Sequence, residues 1–153
     1  MTRDKKTLAT FLALVGAAAA AGSMAQPDAW YESLVRPALA PPNIVFPIVW
    51  TALYAMMAIA AWRVWKIAGF HAGVKAWGVQ LVLNALWSPI FFGRHAILAA
   101  LVVIAALWLA ILVTTVLFFR RDKAAGWLMV PYLAWVSFAT YLNAAFLQLN
   151  PNA

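Results

Sequence analysis

Long apolar runs separated by short polar breaks dominate the chain. Four of them, approximately 43–65, 73–92, 96–119 and 124–149, each approach or exceed the ~20 residues that an α-helix needs to cross a bilayer's hydrocarbon. The breaks between them are compact: Ile67–Ala72 with Gly69, Gly93-Arg94-His95, and Arg120-Arg121-Asp122-Lys123. A further run, about 7–24, follows a basic head of Arg3, Lys5 and Lys6 and reads in two ways. With Ser23-Met24-Ala25 at a cleavage point it has the layout of a secretory signal peptide. Retained, it is a transmembrane helix whose small residues permit close packing. Residues 26–42 hold Pro27, Pro37, Pro41 and Pro42 with Asp28, Glu32 and Arg36, too polar and broken to lie in lipid. That predicts a loop with a short helix around Ala29–Val35, and its aromatic and apolar residues argue for a folded cover rather than a slack linker.

Three stretches carry a finer pattern. In PPNIVFPIVWTALY, Pro41–Tyr54, the paired prolines lack backbone N–H groups and suit a helix start, with Asn43 as candidate cap. Pro47, Trp50 and Tyr54 then recur at steps of three and four, on one helical face. In QLVLNALWSPIFF, Gln80–Phe92, the residues Gln80, Asn84, Trp87 and Phe91 share a face. PYLAWVSFATYLN, Pro131–Asn143, repeats the device with Pro131, Trp135, Ala139 and Asn143. Interfacial anchoring is the common role of membrane Trp and Tyr, but three faces of one grammar point to an aromatic cavity between helices.

Composition removes whole classes of function. The chain has 153 residues, 67% apolar and 10% charged, with mean hydropathy +0.87, against a soluble norm of about half apolar and a quarter charged. No room is left for a water-soluble domain. With no cysteine there is no disulfide, thiolate metal site or cysteine nucleophile, and no triad, phosphate loop or HExxH site can be assembled. His71 and His95 fall in short turns and are expected as solvated surface residues rather than metal or haem ligands. None of the carboxylates Asp4, Asp28, Glu32 and Asp122 lies in a predicted span, which disfavours proton-coupled transport. The polar groups at membrane depth are neutral: Thr51, Tyr54, Gln80, Asn84, Ser88, Tyr132, Ser137, Tyr141 and Asn143. Unpaired amides in hydrocarbon are costly, so Asn84 and Asn143 must bond each other, backbone freed by proline, or a ligand. Gln80, Thr114 and Thr115 read as interhelical glue.

The net charge of +7 is explained by its placement. Alternating five spans puts Arg3, Lys5, Lys6, Arg63, Lys66, Lys75, Arg120, Arg121 and Lys123 on one side and only Arg36 and Arg94 on the other. The positive-inside rule then places the amino terminus in the cytoplasm and residues 26–42 outside; cleavage after Ala25 would leave the same asymmetry. Snorkelling anchors and lipid contacts account for the basicity without nucleic acid.

In this chain's residues the three motifs are FPxxWxxLY from Phe46 to Tyr54, QLxLNxxWxPxFF from Gln80 to Phe92, and PYLxWxxFAxxLN from Pro131 to Asn143. In this order, over about Trp30–Asn143, they resemble the TspO/MBR family of tryptophan-rich sensory proteins, bacterial relatives of the mitochondrial translocator protein or peripheral benzodiazepine receptor. The resemblance implies an all-α, integral membrane bundle of five transmembrane helices over residues 1–153, the first run retained, with 26–42 as a lid over a ligand cavity. It implies binding of porphyrin or haem, above all protoporphyrin IX-like tetrapyrroles, and of benzodiazepine- or isoquinoline-type compounds, with no required cofactor; animal members also bind cholesterol. Positions matching Trp50, Tyr54, Asn84, Trp135, Ser137, Phe138 and Ala139 line the family's cavity, with Trp30 and Tyr31 near the lid; Phe46, Trp87 and Asn143 join them from the motif faces. Large rings with a few polar tips suit a flat apolar ligand, and Ala139 is where a larger side chain would crowd it.

Some members promote light- and oxygen-dependent breakdown of protoporphyrin, assigned to positions matching Trp50 and Trp135; binding is the leading expectation here and degradation the alternative. A homodimer through the third helix, in a bacterial cell envelope, is also implied, with small residues at Gly69, Gly73 and Ala76–Gly78. Two departures bear on ligand choice. Relatives usually carry an aromatic residue in a KPxWxPP-like segment, where this chain has Arg36-Pro37-Ala38-Leu39-Ala40-Pro41-Pro42. No basic residue follows Lys123, so the cholesterol-recognition segment of animal relatives has no counterpart, and a sterol or lipid carrier is the weaker expectation.

Overall fold

Six α-helices and no strand make up residues 2–153, the part of the chain that the computed structural model describes. They are α1 Arg3–Ser23, α2 Ala29–Ser33, α3 Val45–Ala68, α4 Ala72–Ser88, α5 Ile97–Arg121 and α6 Lys123–Leu149. Of these, α1, α3, α5 and α6 are long and apolar enough to cross a membrane. Helix α4 has 17 residues and runs on into a π-helical turn, Pro89–Gly93.

The helix ends follow from local chemistry. Thr2 caps α1, its side chain accepting from the Lys5 N–H. α3 begins at Val45 rather than at Asn43, because the Asn43 carboxamide accepts from Arg36 at 3.2 Å instead of capping. It ends at Gly69, whose φ of 63° needs the freedom of a residue without Cβ and whose N–H closes on the Trp65 carbonyl. α4 stops at Ser88, where the pattern alone carries a helix to Phe92. Pro89 has no N–H to continue the ladder, so the last turn widens and is closed by the Arg94 N–H on the Pro89 carbonyl at 3.0 Å. This wider turn drives Phe91 inward to near-complete burial.

Helix contacts close a ring in the order α3, α1, α4, α5, α6 and back to α3. One core, built around Phe11, Met57, Trp77, Ile111, Tyr132 and Val136, fills the middle of the ring. A second, with Tyr31, Leu34, Phe91, Ile97, Ala100 and Phe146, sits at one end beneath α2. Lipid is as apolar as leucine, so helices in it associate by close contact rather than by escape from water. Ala58, Ala60 and Ala61 on α3 are fully buried and permit that contact. At the opposite end Arg63 donates to Asp122 at 2.6 Å and ties α3 to the α5–α6 turn. The same guanidinium, by hydrogen bond first and by charge second, holds the Asp122 carboxyl below its ordinary value.

Overpacking of that small-residue contact is the expected weak point. Ala61→Leu should destabilise the fold by about 1–3 kcal/mol, seen as a lower thermal midpoint in detergent, whereas Leu98→Ala on the outward face of α5 should change it little.

Candidate functional site

The interior of the ring is organised by a chain of neutral hydrogen bonds. The Tyr54 hydroxyl donates to Asn84 Oδ1, the Asn84 amide donates to the Tyr132 hydroxyl, and Tyr132 donates to Gln80 Oε1, each at 2.7 Å. Gln80 Nε2 ends the chain on the Met57 sulfur at 3.9 Å. Three helices, α3, α4 and α6, are thus linked with no charge anywhere along the line. Each group satisfies the next, which is what hydrocarbon surroundings demand. A second link joins α4, α6 and α5: Trp87 Nε1 donates to Asn143 Oδ1 at 2.9 Å, and Asn143 Nδ2 to the Ile97 carbonyl at 3.1 Å. The two asparagines therefore do not bond each other. Thr114 and Thr115 spend their hydroxyls on carbonyls of their own helix, at Ala110 and Ile111, and bridge no helices.

Beside the network lies the aromatic face of α3 and α6. Phe46 meets Trp135 edge-on at 5.7 Å, Trp50 packs on Tyr54 at 5.6 Å and on Tyr132 at 6.1 Å, and Phe138 leans on Trp135 at 5.9 Å. Ala139, one turn beyond Trp135, packs half-buried against the same core. One polar atom on this face is unsatisfied: Trp135 Nε1 is buried and has no hydrogen-bond partner.

The segment between α1 and α3 covers the end core. Asp28 caps α2 through the Tyr31 N–H at 3.1 Å and reaches His95 Nε2 at 2.9 Å across the mouth of the α4–α5 turn. His95 adopts a positive φ of 55° and stacks on Trp30 at 4.2 Å. Asn150 holds the Val35 peptide at both ends, accepting from its N–H at 2.9 Å and donating to its carbonyl at 3.0 Å. Arg36 donates to the Pro41 carbonyl at 3.0 Å, so the loop that lacks the aromatic residue is tied back on itself. The Tyr31 N–H, then His95, hold the Asp28 carboxyl below its ordinary value of 3.8, while burial pushes the Tyr31 hydroxyl up.

The structure brings Phe46, Trp50, Tyr54, Trp135, Phe138 and Ala139 onto one face, with Asn84 behind them. Trp30 and Tyr31 belong to the end core with Phe91, and Trp87 packs against both that core and the central one. Ser137 is set apart: it accepts from Trp108 Nε1 at 2.8 Å on the α5 side of α6. The turn histidines are not simply solvated, since His95 is stacked and paired and His71 Nε2 is buried without a partner. Gly73 faces inward, against His71 and Phe118. Tyr132, at the centre of the network and fully buried, was legible as a buried phenol, but its partners on α4 lie about 50 residues away. The Asp28–His95 and Asn150–Val35 ties carry no sequence signal, because they join loop positions with no periodicity.

The TspO/MBR family model matches residues 8–149. The chain is 42% identical to the tryptophan-rich sensory protein of Cereibacter sphaeroides, over 99% of this chain and 96% of that relative. It is 45% identical to the tryptophan-rich protein TspO of Chlorobaculum tepidum, over 99% of this chain and the whole of that relative. The similarity extends to the translocator protein of Homo sapiens, 40% identical over 74% of this chain and 70% of that protein.

Loss of the central amide should cost more than loss of the terminal hydroxyl. Asn84→Leu strands two phenols and is expected to destabilise by about 1–3 kcal/mol, and Tyr54→Phe, which strands one acceptor, by about 1 kcal/mol or less; thermal unfolding in detergent ranks them. The Asp28 cap titrates as a depressed carboxylate, so its contribution is present above 3.8 and is lost as pH falls through the lower folded value. Hydrogen exchange over Ala29–Ser33, corrected for intrinsic rates, should show protection at neutral pH that collapses only below 3.8, with the collapse absent in Asp28→Asn.

Proposed function

The chain belongs to the TspO/MBR family, and from that premise we propose that it is a five-span membrane receptor whose α3–α6 aromatic face binds a protoporphyrin-type tetrapyrrole or a flat benzodiazepine- or isoquinoline-type molecule. The fifth crossing is α4 with its π-helical turn. Seventeen α-helical residues span about 25 Å and the turn adds most of the remainder of a ~30 Å core. Residues 26–42 act as the lid, held by Asp28–His95 at one side and Asn150–Val35 at the other. The amino terminus and the Arg120 turn face the cytoplasm.

The observation that carries this reading is the buried, unpartnered Trp135 Nε1. An orphaned donor in a dry site costs about 1–3 kcal/mol, which a carboxylate or carbonyl of a bound ligand recovers. Phe46, Trp50 and Trp135 offer ring faces to a planar apolar molecule. The Tyr54–Asn84–Tyr132–Gln80 chain braces the wall behind them, and Ala139 leaves room. A protein so built acts as a sensor, scavenger or carrier in tetrapyrrole regulation. A second reading is favoured by Trp50 and Trp135 sharing that face: two oxidisable indoles beside a bound pigment suit light- and oxygen-dependent porphyrin breakdown.

Titration of the detergent-purified protein with protoporphyrin IX in the dark, followed by tryptophan quenching, tests both. Saturable quenching weakened about tenfold by Ala139→Leu, and weakened by Trp135→Phe, is the expected result. A crowding cost of about 1–3 kcal/mol corresponds to a factor of about five to somewhat over a hundred, a range that contains the tenfold loss. Quenching that never saturates, or ignores both substitutions, would mean partition into the micelle and would bring a lipid or sterol carrier to the front. Under light, pigment loss that persists in the Trp50→Phe, Trp135→Phe double variant overturns the assignment of photo-oxidation to these two residues.

A further inference from the structure

Residues 36–43 fold back on themselves just before the first turn of α3. Pro37 disfavours a helical Arg36, and the Ala40 N–H closes on the Pro37 carbonyl at 3.1 Å, a turn that returns the chain to the side of Arg36. The guanidinium then donates through Nη2 to the Pro41 carbonyl at 3.0 Å and through Nη1 to Asn43 Oδ1 at 3.2 Å, with its Cζ 5.7 Å from the Tyr31 ring centre. The Asn43 carbonyl accepts the Phe46 N–H at 3.3 Å, and the Phe46 ring meets Trp135. A cation is thus fixed about one helical turn beyond the rim of the aromatic face. We propose that Arg36 makes the site selective for carboxylate-bearing ligands: with a flat ring system against Phe46 and Trp135, an acid side arm reaches the guanidinium at the mouth. This rests on the reading of that face as a ligand site and adds the class of ligand preferred, acids over their esters and over neutral flat molecules.

The donors for such a contact are present and unspent. A guanidinium carries about five N–H groups; two are used on the loop, and the rest stay open to a ligand. Among the described residues Arg36 has no carboxylate partner: the ion pairs are Arg63–Asp122, at the opposite end of the bundle, and Asp28–His95. Glu32, on α2, is exposed and forms no ion pair with it. Pro37, Pro41 and Pro42 have no N–H, so the backbone around the mouth offers an anion little and the guanidinium is its chief donor. The loop and the Tyr31 ring already hold the side chain, so binding costs it less conformational freedom than it would a free surface arginine. Its planar fork matches a carboxylate with two parallel bonds. Arg94, the other basic residue of this end, adjoins His95 at the α4–α5 turn, where the stacked ring is Trp30 and not one of the α3–α6 face.

Dark tryptophan-quenching titrations of the full chain in lipid-free detergent test this with protoporphyrin IX and its dimethyl ester, one ring system with and without its acids. The free acid should bind about fivefold more tightly than the ester, the size of an ion pair open to water, and raised salt should narrow the gap. Arg36→Gln should weaken the acid by that factor and leave the ester unchanged, and Arg36→Lys should restore part of the preference. Arg94→Gln should keep it whole. Comparing the acid-to-ester ratio between variants cancels the difference in micelle partition between the two probes. If Arg36→Gln weakens acid and ester alike, Arg36 only braces the lid and the proposal is overturned. A preference that persists in Arg36→Gln overturns it as well, by placing the acid on another donor such as Trp135 Nε1. Saturable binding that is equal for acid and ester and weakened by Ala139→Leu would keep the aromatic face as the ligand site and remove the selectivity; quenching that saturates with neither probe would remove the site itself.

Discussion

Hydrocarbon offers no hydrogen bonds, and the arrangement of this protein follows from that. A phenol or carboxamide placed between helices in such surroundings has to find its partner inside the protein. Tyr54, Asn84, Tyr132 and Gln80 do so in a single file that the Tyr54 hydroxyl opens as donor and in which Asn84, Tyr132 and Gln80 each accept and donate. Helices α3, α4 and α6 are held by the file in one rotational setting about their axes. That setting presents Phe46, Trp50 and Trp135 on a common face. A sliding or rotation of any one helix would strand a polar group, so the network specifies geometry more than it adds energy.

Proline and the chain's few charges then dispose of the ends. Pro89 ends α4 and opens the π-helical turn that buries Phe91 beneath α2. Outside the hydrophobic belt the ties become ionic or carboxamide-based: Arg63 to Asp122 at one end, Asp28 to His95 and Asn150 to Val35 at the other. These groups sit where water screens them, so they position loops and add little to overall stability. Against this well-satisfied background the bare Trp135 N–H stands out, and it lies on the face where the aromatic rings gather. The basic end has the reverse character, with cations in excess of carboxylates.

Much was legible from the order of residues alone. Run lengths of about 20 apolar residues dictate membrane helices whatever their partners, because the bilayer sets the length. Steps of three and four place Trp50 with Tyr54, and Trp135 with Ala139, on shared faces because helix geometry is local. The three motifs gave the family, which the match across residues 8–149 shows.

Other features needed the packed chain. That Ser137 turns to Trp108, that Trp30 and Tyr31 join the end core, that Asn43 serves Arg36 instead of capping, and that Asn84 and Asn143 have separate partners depend on which helices become neighbours. Periodicity fixes the direction of a side chain relative to its own helix axis and nothing about the helix opposite. The sequence by itself thus determined the helices, their polar stripes and the kind of solvent they inhabit, since each follows from contacts within a few residues and with lipid. Only the tertiary structure decided which stripes meet and which donor stays without an acceptor, because pairing across as many as 115 residues is settled by the fit of whole faces.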